Sequence, residues 1–148
     1  MPDHPIELLL VEDTKADLDL TLRALRKANL ANDIHVARDG AEAMEFIFCE
    51  GAYAAREIAN VPRLILLDLK LPKVDGLDVL RRLKTDPRTQ RIPVVVLTSS
   101  KEQTDLRECY RLGVNSYIVK PVNFERFAAA VQQLGLYWLL LNERPPGV

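Results

Sequence analysis

The stretch LILLDLKLPKVDG, residues 64–76, sets the architecture that we predict for this chain. It begins with four apolar residues, places one carboxylate at Asp68, and continues to turn signals at Pro72 and Asp75-Gly76. A short apolar run that ends in turns is typical of a strand buried on both faces. Asp68 therefore follows a predicted central strand, at the sheet edge where open α/β sheets bind ligands. Alone, it could be either a turn-capping residue or a reactive carboxylate.

The remaining sequence alternates between apolar β-type runs and segments with helical periodicity. Strands are predicted at 6–11, 34–37, 64–67, 92–97 and 116–119. Helices are predicted at 14–30, 41–48, 76–85, 101–112 and from 123 to about 141. Residues 49–62 are helix-compatible but broken near Gly51. Alternation of this kind predicts an α/β fold, a doubly wound parallel sheet inside a three-layer sandwich.

Several residues have the types that begin or end helices. Thr14 is a candidate N-cap, with Asp17 three residues later in the manner of a capping box. Asn123 is the expected N-cap of the last helix, and Gly113 is the expected C-terminal cap of the fourth.

Composition excludes several classes of function. The chain has 148 residues and a formal net charge of -1, which predicts one domain and argues against a nucleic-acid partner. Cys49, Cys109, His4 and His35 have no paired metal-ligand spacing, so neither a disulfide framework nor a zinc site is expected. The first residues lack a signal-peptide pattern, and no apolar run reaches the ~18 residues of a membrane span. We expect a soluble cytoplasmic protein.

Polar residues follow four of the predicted strands: Glu12 and Asp13 the first, Asp68 the third, Thr98 the fourth and Lys120 the fifth. Because parallel strands end at one edge, these side chains should converge. Crowded carboxylates favour a hard cation such as Mg²⁺ (or Mn²⁺), while a hydroxyl and an ammonium group suit phosphoryl oxygens. The chemistry predicted is attack by Asp68 on a phosphoryl group, giving an aspartyl phosphate. Each residue alone could be a solvated strand end, a helix cap or a surface lysine.

Together these motifs resemble a known family. The matching pieces are VED at 11–13, LDLKLP at 67–72, DG at 75–76, LTSS at 97–100, Tyr117 and KP at 120–121. From residue 6 to about 134 the chain resembles a bacterial response-regulator receiver domain, the CheY-like family of two-component signalling.

The resemblance implies a flavodoxin-like sheet of strand order 2-1-3-4-5. It implies that Asp68 takes phosphate from a phosphohistidine of a sensor histidine kinase. It also implies a Mg²⁺ site formed by Asp13, Asp68 and the backbone carbonyl of Lys70, with Glu12 acting through water.

The same resemblance assigns three further residues. Thr98 and Tyr117 would be a switch pair, in which Thr98 moves toward the phosphoryl group and Tyr117 turns inward behind it. Lys120 would bind the phosphoryl group, and the Lys120–Pro121 peptide bond would be cis.

We predict a single receiver domain over 1–148, with its core at about 6–134 and an extended C-terminal helix and tail at 135–148. The end of the chain is more apolar than one helix against one sheet requires. It could fold back on its own domain, or it could form an interface. We predict a symmetric homodimer through the fourth helix, fifth strand and fifth helix. The interface residues expected are Phe124, Leu136, Tyr137, Trp138, Leu140 and Leu141.

The long segment at 49–62 and the ending LGLYWLLLNERPP resemble single-domain regulators paired with bacterial phytochromes. That resemblance implies a phytochrome-type histidine kinase upstream and an unidentified protein downstream, with no fused output domain.

Two alternatives remain at the sequence level. An aspartyl-nucleophile phosphatase of the haloacid-dehalogenase type would need a second Asp two residues after Asp68, where this chain has Lys70. A degenerate receiver would act as a phosphorylation-independent dimerising scaffold, against which the intact acidic residues argue. We therefore expect a phosphoacceptor switch with slow self-dephosphorylation and no metabolic activity.

Overall fold

The structure, a computed structural model, describes residues 8–30, 33–58, 60–121 and 123–136. The strands are β1 (Leu8–Val11), β2 (Ile34–Ala37), β3 (Leu64–Leu67), β4 (Val94–Thr98) and β5 (Ser116–Val119). The helices are α1 (Lys15–Lys27), α2 (Gly40–Phe48), α3 (Gly76–Thr85), α4 (Gln103–Arg111) and α5 (Phe124–Gln133).

All of the strand pairs in the sheet are parallel, and the strand order is β2-β1-β3-β4-β5. The predicted fold class and strand order are confirmed. The central strand β3 pairs with β1 on one side and β4 on the other, so that Leu67 lies beside Val11 and Val96. This register brings the carboxyl ends of the strands together at one edge.

Side chains alternate along each strand and so supply two separate cores. On one face, Ile65 and Leu67 join a cluster with residues of α2, α3 and α4. On the other face, Leu64 and Leu66 pack with residues of α1 and α5, including Phe127. Residues of β1, β3 and β4 are therefore buried on both faces, which is why these strands are apolar runs.

The segment 49–62 is less helical than its sequence predicts. It contains one 3₁₀ turn at Gly51–Tyr53, followed by turns and bends among the described residues. Tyr53 lies edge-on to Phe46 of α2, with ring centroids 5.1 Å apart. The guanidinium of Arg56 lies 3.7 Å from the Phe46 ring centroid and donates a hydrogen bond to the carbonyl of Asn60. These tertiary contacts replace a continuous helix.

Two helix-end predictions are corrected. The hydroxyl of Thr14 makes no capping hydrogen bond, although Thr14 is the N-cap residue of α1. The last helix ends at Gln133 instead of continuing to about residue 141, because Gly135 adopts φ +70° and the N–H of Leu136 turns back to the Val131 carbonyl. Caps at Asn123 and Gly113 are as predicted.

The remaining boundaries agree within three residues, the largest difference being at the end of α1, which was predicted at residue 30 and lies at Lys27. None of the described helices has the length and apolar character that crossing a membrane requires.

Candidate functional site

Backbone hydrogen bonds continue the pairing of the sheet one residue past the ends of its strands, and they hold the backbone of the site residues in place. The N–H of Glu12 donates to the Ala37 carbonyl at 3.0 Å, and the N–H of Asp68 donates to the Val11 carbonyl at 3.1 Å. The N–H of Lys120 donates to the carbonyl of Thr98 at 2.9 Å. The predicted site residues therefore leave the sheet from the same edge.

Three of the carboxylates converge. Glu12, Asp13 and Asp68 each have a carboxylate oxygen within 4.8 Å of one of the others. Glu12 is 2% exposed and Asp68 is 6% exposed. Burial raises the pKa of Glu12 to about 7, and the nearby charge of Asp68 adds to this rise while Lys120 opposes it. The cluster therefore concentrates negative charge that needs a cation.

Lys120 supplies positive charge at the centre of the cluster. Its ammonium nitrogen lies 3.0 Å from Asp68 Oδ2 and 3.0 Å from Asp17 Oδ2, and it also donates to Glu12 Oε2. Its side chain is only 9% exposed. Burial alone would lower the pKa of Lys120, but the hydrogen bonds that it donates to Glu12 and Asp68 outweigh burial, so the pKa is raised. Lys120 is therefore held as a cation.

The donor set fits a hard divalent cation. Carboxylate oxygens on Glu12, Asp13 and Asp68 are the ligands that Mg²⁺ and Mn²⁺ prefer. The raised pKa of Glu12 marks repulsion and burial that a dication would relieve. The single ammonium group of Lys120 does not balance the charge of all these carboxylates, and a bound cation would add positive charge.

The loop after β3 is held at both ends. The N–H of Lys70 donates to Asp68 Oδ1 at 3.3 Å, which fixes the carboxylate against its own turn. At the far end, Gly76 packs directly on the chain, and a Cβ there would lie 2.2 Å from the Asp68 carbonyl oxygen. The N–H of Gly76 donates to the Leu69 carbonyl at 2.9 Å. The main chain at the beginning of this loop therefore contacts the main chain at the start of α3 directly, with no side chain between them.

Thr98 and Tyr117 meet through Ser100. The hydroxyl of Thr98, which is fully buried, accepts a hydrogen bond from the N–H of Ser100 at 3.3 Å. The hydroxyl of Tyr117 donates to the carbonyl of Ser100 at 2.9 Å. Burial raises the pKa of Tyr117, with Asp105 contributing through its charge. The two predicted switch residues are thus joined by one intervening residue.

The structure brings some of the predicted residues together, whereas others lie outside the residues that it describes. It brings Glu12, Asp13, Asp68 and Lys120 together, and the Lys120–Pro121 peptide bond is cis. Of the residues predicted for a dimer interface, Tyr137, Trp138, Leu140, Leu141 and the side chain of Phe124 lie outside the described residues. Leu136 is half-buried against its own core.

Sequence reasoning missed two residues at the site, Asp17 and Asp105, and the side-chain contacts of Ser100. Asp17 was predicted to be part of a capping box, whereas its carboxylate binds Lys120. Its position in the first turn of α1 gave no signal of that contact, because an acidic residue there is common. Asp105 and the contacts of Ser100 likewise gave no signal.

Comparison with known proteins agrees with this geometry. The model of the response regulator receiver domain family matches residues 8–132. The chain is 41% identical over 144 residues to the probable methanogenesis regulatory protein FilR2 of Methanothrix harundinacea, covering 97% of this chain and 90% of that protein. It is 42% identical over 135 residues to the response regulator Rcp1 of Synechocystis sp., covering 91% and 90%.

Solved structures give the same result. The bacteriophytochrome response regulator RtBRR matches with a TM-score of 0.83 and 54% identity, over 95% of this chain and 84% of that one. The bacteriophytochrome response regulator AtBRR matches with a TM-score of 0.82 and 52% identity, over 95% and 100%. The Mn²⁺-bound form of Rcp1 matches with a TM-score of 0.74 and 40% identity, over 95% and 98%.

The match covers the whole sheet, and the acidic cluster, the buried lysine and the strand-end threonine all lie within it. The chain therefore belongs to the response regulator receiver domain family.

Proposed function

We propose that this chain is a single-domain response regulator that accepts a phosphoryl group on Asp68. The observation that carries the proposal is the position of Asp68, 3.0 Å from the ammonium of Lys120 and within the carboxylate cluster of Glu12 and Asp13. A buried carboxylate in contact with a fixed cation is placed to attack phosphorus, and the cation can then stabilise the negative charge of the phosphoryl group.

The transfer moves one phosphoryl group from a histidine nitrogen to an oxygen of Asp68. A carboxylate oxygen of Asp68 attacks the phosphorus of a phosphohistidine, the P–O bond forms as the P–N bond breaks, and the histidine leaves with the electron pair of that bond. Lys120 offsets the charge on the phosphoryl oxygens, and the hydroxyl of Thr98 can turn from Ser100 to donate to one of them. Tyr117 then follows the rearrangement of Ser100.

The residues present also fit the predicted metal. Asp13, Asp68 and the carbonyl of Lys70 would hold Mg²⁺ or Mn²⁺, with Glu12 acting through water. When bound, the ion supplies charge neutralisation and alignment for in-line phosphoryl transfer. The Mn²⁺-bound structure of the relative Rcp1 supports this assignment.

We also propose a phytochrome-type histidine kinase as the phosphate donor. Support comes from the structures named bacteriophytochrome response regulators, which are 54% and 52% identical to this chain. Lys70 has an exposed side chain and carries no carboxyl group, so it cannot serve as the general acid of an aspartyl phosphatase. We therefore infer a switch that loses its phosphate slowly and has no metabolic turnover. The cytoplasmic location remains a prediction, and the downstream partner is unidentified.

Phosphotransfer tests the proposal. A radiolabelled, autophosphorylated phytochrome-type histidine kinase is mixed with the protein in Mg²⁺ and in excess chelator. We expect rapid labelling that requires Mg²⁺ and is lost in Asp68→Asn. Asp75→Asn is the matched control, because Asp75 is an exposed carboxylate in the same loop whose side chain makes no capping bond.

The outcomes separate the parts of the proposal. Labelling that persists in Asp68→Asn would show that Asp68 is not the phosphoacceptor. If the kinase fails but acetyl phosphate labels Asp68, the receiver function stands and the phytochrome pairing is wrong. If neither donor labels the protein, the phosphorylation-independent scaffold becomes the better hypothesis.

We propose, finally, a homodimer through α4, β5 and α5. Leu106 and Tyr110 lie one turn apart on α4, and they are 37% and 52% exposed. A depression of about 260 Å³ is lined by residues of β5 and α5, including Ile118 and Ala129. Exposed apolar side chains are typical of an interface between proteins.

A further inference from the structure

Ser100 is a hub of hydrogen bonds beyond its links to the two switch residues. Its hydroxyl donates to Asp105 Oδ2 at 2.6 Å and accepts from the N–H of Glu102 at 3.3 Å. Ser100 therefore connects Thr98 and Tyr117 to the beginning of α4. A change at any of these contacts must be accommodated by the others.

Asp105 is the charged member of this group. It lies in the first turn of α4 and is only 8% exposed, and the oxygen that binds Ser100 also lies 3.9 Å from the ammonium of Lys70. Lys70 follows Asp68 by two residues, and its side chain is 63% exposed. An ion pair so exposed is weak, so Lys70 can leave Asp105 at small cost.

We propose that Asp105 is a positioning residue of the phosphorylation switch. Acting mainly through Ser100, and only weakly through Lys70, it holds Thr98, Tyr117 and the beginning of α4 in the arrangement described here. This inference rests on the proposed function, because it concerns how phosphorylation of Asp68 reaches α4.

The direction of the effect follows from charge. A phosphoryl group carries about −1.5 to −2 charges, and it forms within reach of the loop that carries Lys70. That charge draws the ammonium away from Asp105, and a movement of the Thr98 side chain toward the phosphoryl group carries its oxygen away from the N–H of Ser100. Asp105 thus stabilises the unphosphorylated arrangement. Weakening it should raise the population of the other arrangement and the apparent affinity for a phosphoryl group.

The experiment uses the full chain, labelled with 3-fluorotyrosine and titrated with beryllofluoride in Mg²⁺, a non-covalent analogue of the phosphoryl group. Fluorine NMR follows the Tyr117 signal, which Tyr117→Phe assigns. In Asp105→Asn, we expect this signal to lie nearer the liganded position before any ligand is added. The apparent Kd should fall roughly three- to tenfold, since a charged hydrogen bond becomes a neutral one.

Ser100→Ala removes the same contact from the other side and keeps the test independent of one variant. It should have the same effect, and the double variant should go no further than the single ones, because the two residues act as one unit. Glu108→Gln is the control. Glu108 lies on the same helix and pairs with Arg81 and Arg111 outside the hub, so neither the Tyr117 signal nor the Kd should change.

The failures are distinguishable. If Asp105→Asn binds beryllofluoride as the original chain does, with the Tyr117 signal unmoved, Asp105 does not position the switch, even if the variant is less stable. Additive effects of Ser100→Ala and Asp105→Asn would also overturn the inference. If beryllofluoride does not bind the original chain and no phosphodonor labels Asp68, the proposed function itself fails.

Discussion

Lys120 is the cation on which carboxylates from two strand ends and one helix converge. Substituting it by Met keeps the length of the side chain but leaves Glu12 and Asp68 facing each other without a counter-ion. In chelator, we expect Lys120→Met to lower the free energy of unfolding by about 3 kcal/mol. Added Mg²⁺ should recover part of this loss, because it replaces positive charge and binds the folded state. Urea unfolding with and without Mg²⁺ measures both effects.

Lys73→Met is the control for that measurement. Lys73 is 69% exposed and pairs with Asp39 at 3.4 Å, so its substitution should change the free energy of unfolding by less than about 1 kcal/mol. An equal loss in both variants, or no recovery by Mg²⁺ in Lys120→Met, would contradict the role of Lys120 as the counter-ion of the acidic cluster.

His35 provides a prediction about pH. Its ring stacks on Phe46 at 4.0 Å, and its Nε2 lies 3.1 Å from the hydroxyl of Tyr53. That hydroxyl donates to Glu42 at 3.1 Å, so Nε2–H must be the donor to Tyr53. Burial lowers the pKa of His35 from its usual 6.5, although Glu42 opposes the shift.

A lowered pKa means that the folded chain binds fewer protons than the unfolded chain below about pH 6.5. His35 should therefore stabilise the folded state less at pH 5.5 than at pH 7.5, whereas Glu12, whose pKa is raised, contributes in the opposite direction over the same range. Comparison with His35→Phe isolates the contribution of His35: the free energy of unfolding of the original chain, relative to that of His35→Phe, should fall from pH 7.5 to pH 5.5, as measured by urea unfolding at both pH values. An NMR titration that puts the imidazole pKa at or above 6.5 would contradict this assignment.

At the scale of elements, the segment 49–62 depends on Arg56. This side chain stacks on the Phe46 ring and donates to the carbonyls of Phe46 and Asn60. Arg56→Met should lower the free energy of unfolding by about 1–2 kcal/mol, since it removes a cation–π contact and two hydrogen bonds. Substituting Arg56 should also accelerate amide hydrogen exchange more in residues 50–60 than in the sheet. Arg63→Met, at an exposed position, should leave both measurements unchanged.

The sequence predicted the elements that packing constrains most. β1, β3 and β4 are buried on both faces, which leaves apolar runs that end abruptly at Glu12, Asp68 and Thr98. It failed where tertiary contacts override local preference. Residues 52–59 have helix-forming composition, yet Tyr53 and Arg56 are held by aromatic rings of β2 and α2.

The end of α5 and the outer part of the site show the same limit. Gly135 was a readable stop signal, but the apolar residues around it favoured a longer helix. Asp17 and Asp105 could not be assigned, because their roles depend on where the side chains of Lys120 and Ser100 point. Spacing along the chain does not carry that information.

At the scale of the whole molecule, the homodimer can be tested by sedimentation. Leu106→Ser removes an exposed apolar side chain from α4 and should weaken association roughly tenfold. Trp138→Ala should also weaken association if the C-terminal segment contributes. Leu20→Ser is the control, since Leu20 is 54% exposed on α1, which is not an element of the proposed interface. Unchanged association in Leu106→Ser would exclude this face.

The backbone contact at Gly76 also bears on the direction in which a signal can travel. The end of β3 and the beginning of α3 touch through main-chain atoms, with no side chain between them that could change rotamer. A backbone contact of this kind keeps the end of β3 and the beginning of α3 in one relative position, because it contains no side chain that could rotate into a second arrangement. On the other side of Asp68, the links to α4 pass through hydroxyl and carboxylate groups that can exchange partners. One flank of the phosphoacceptor is therefore an anchor, and we expect motion to leave by the other.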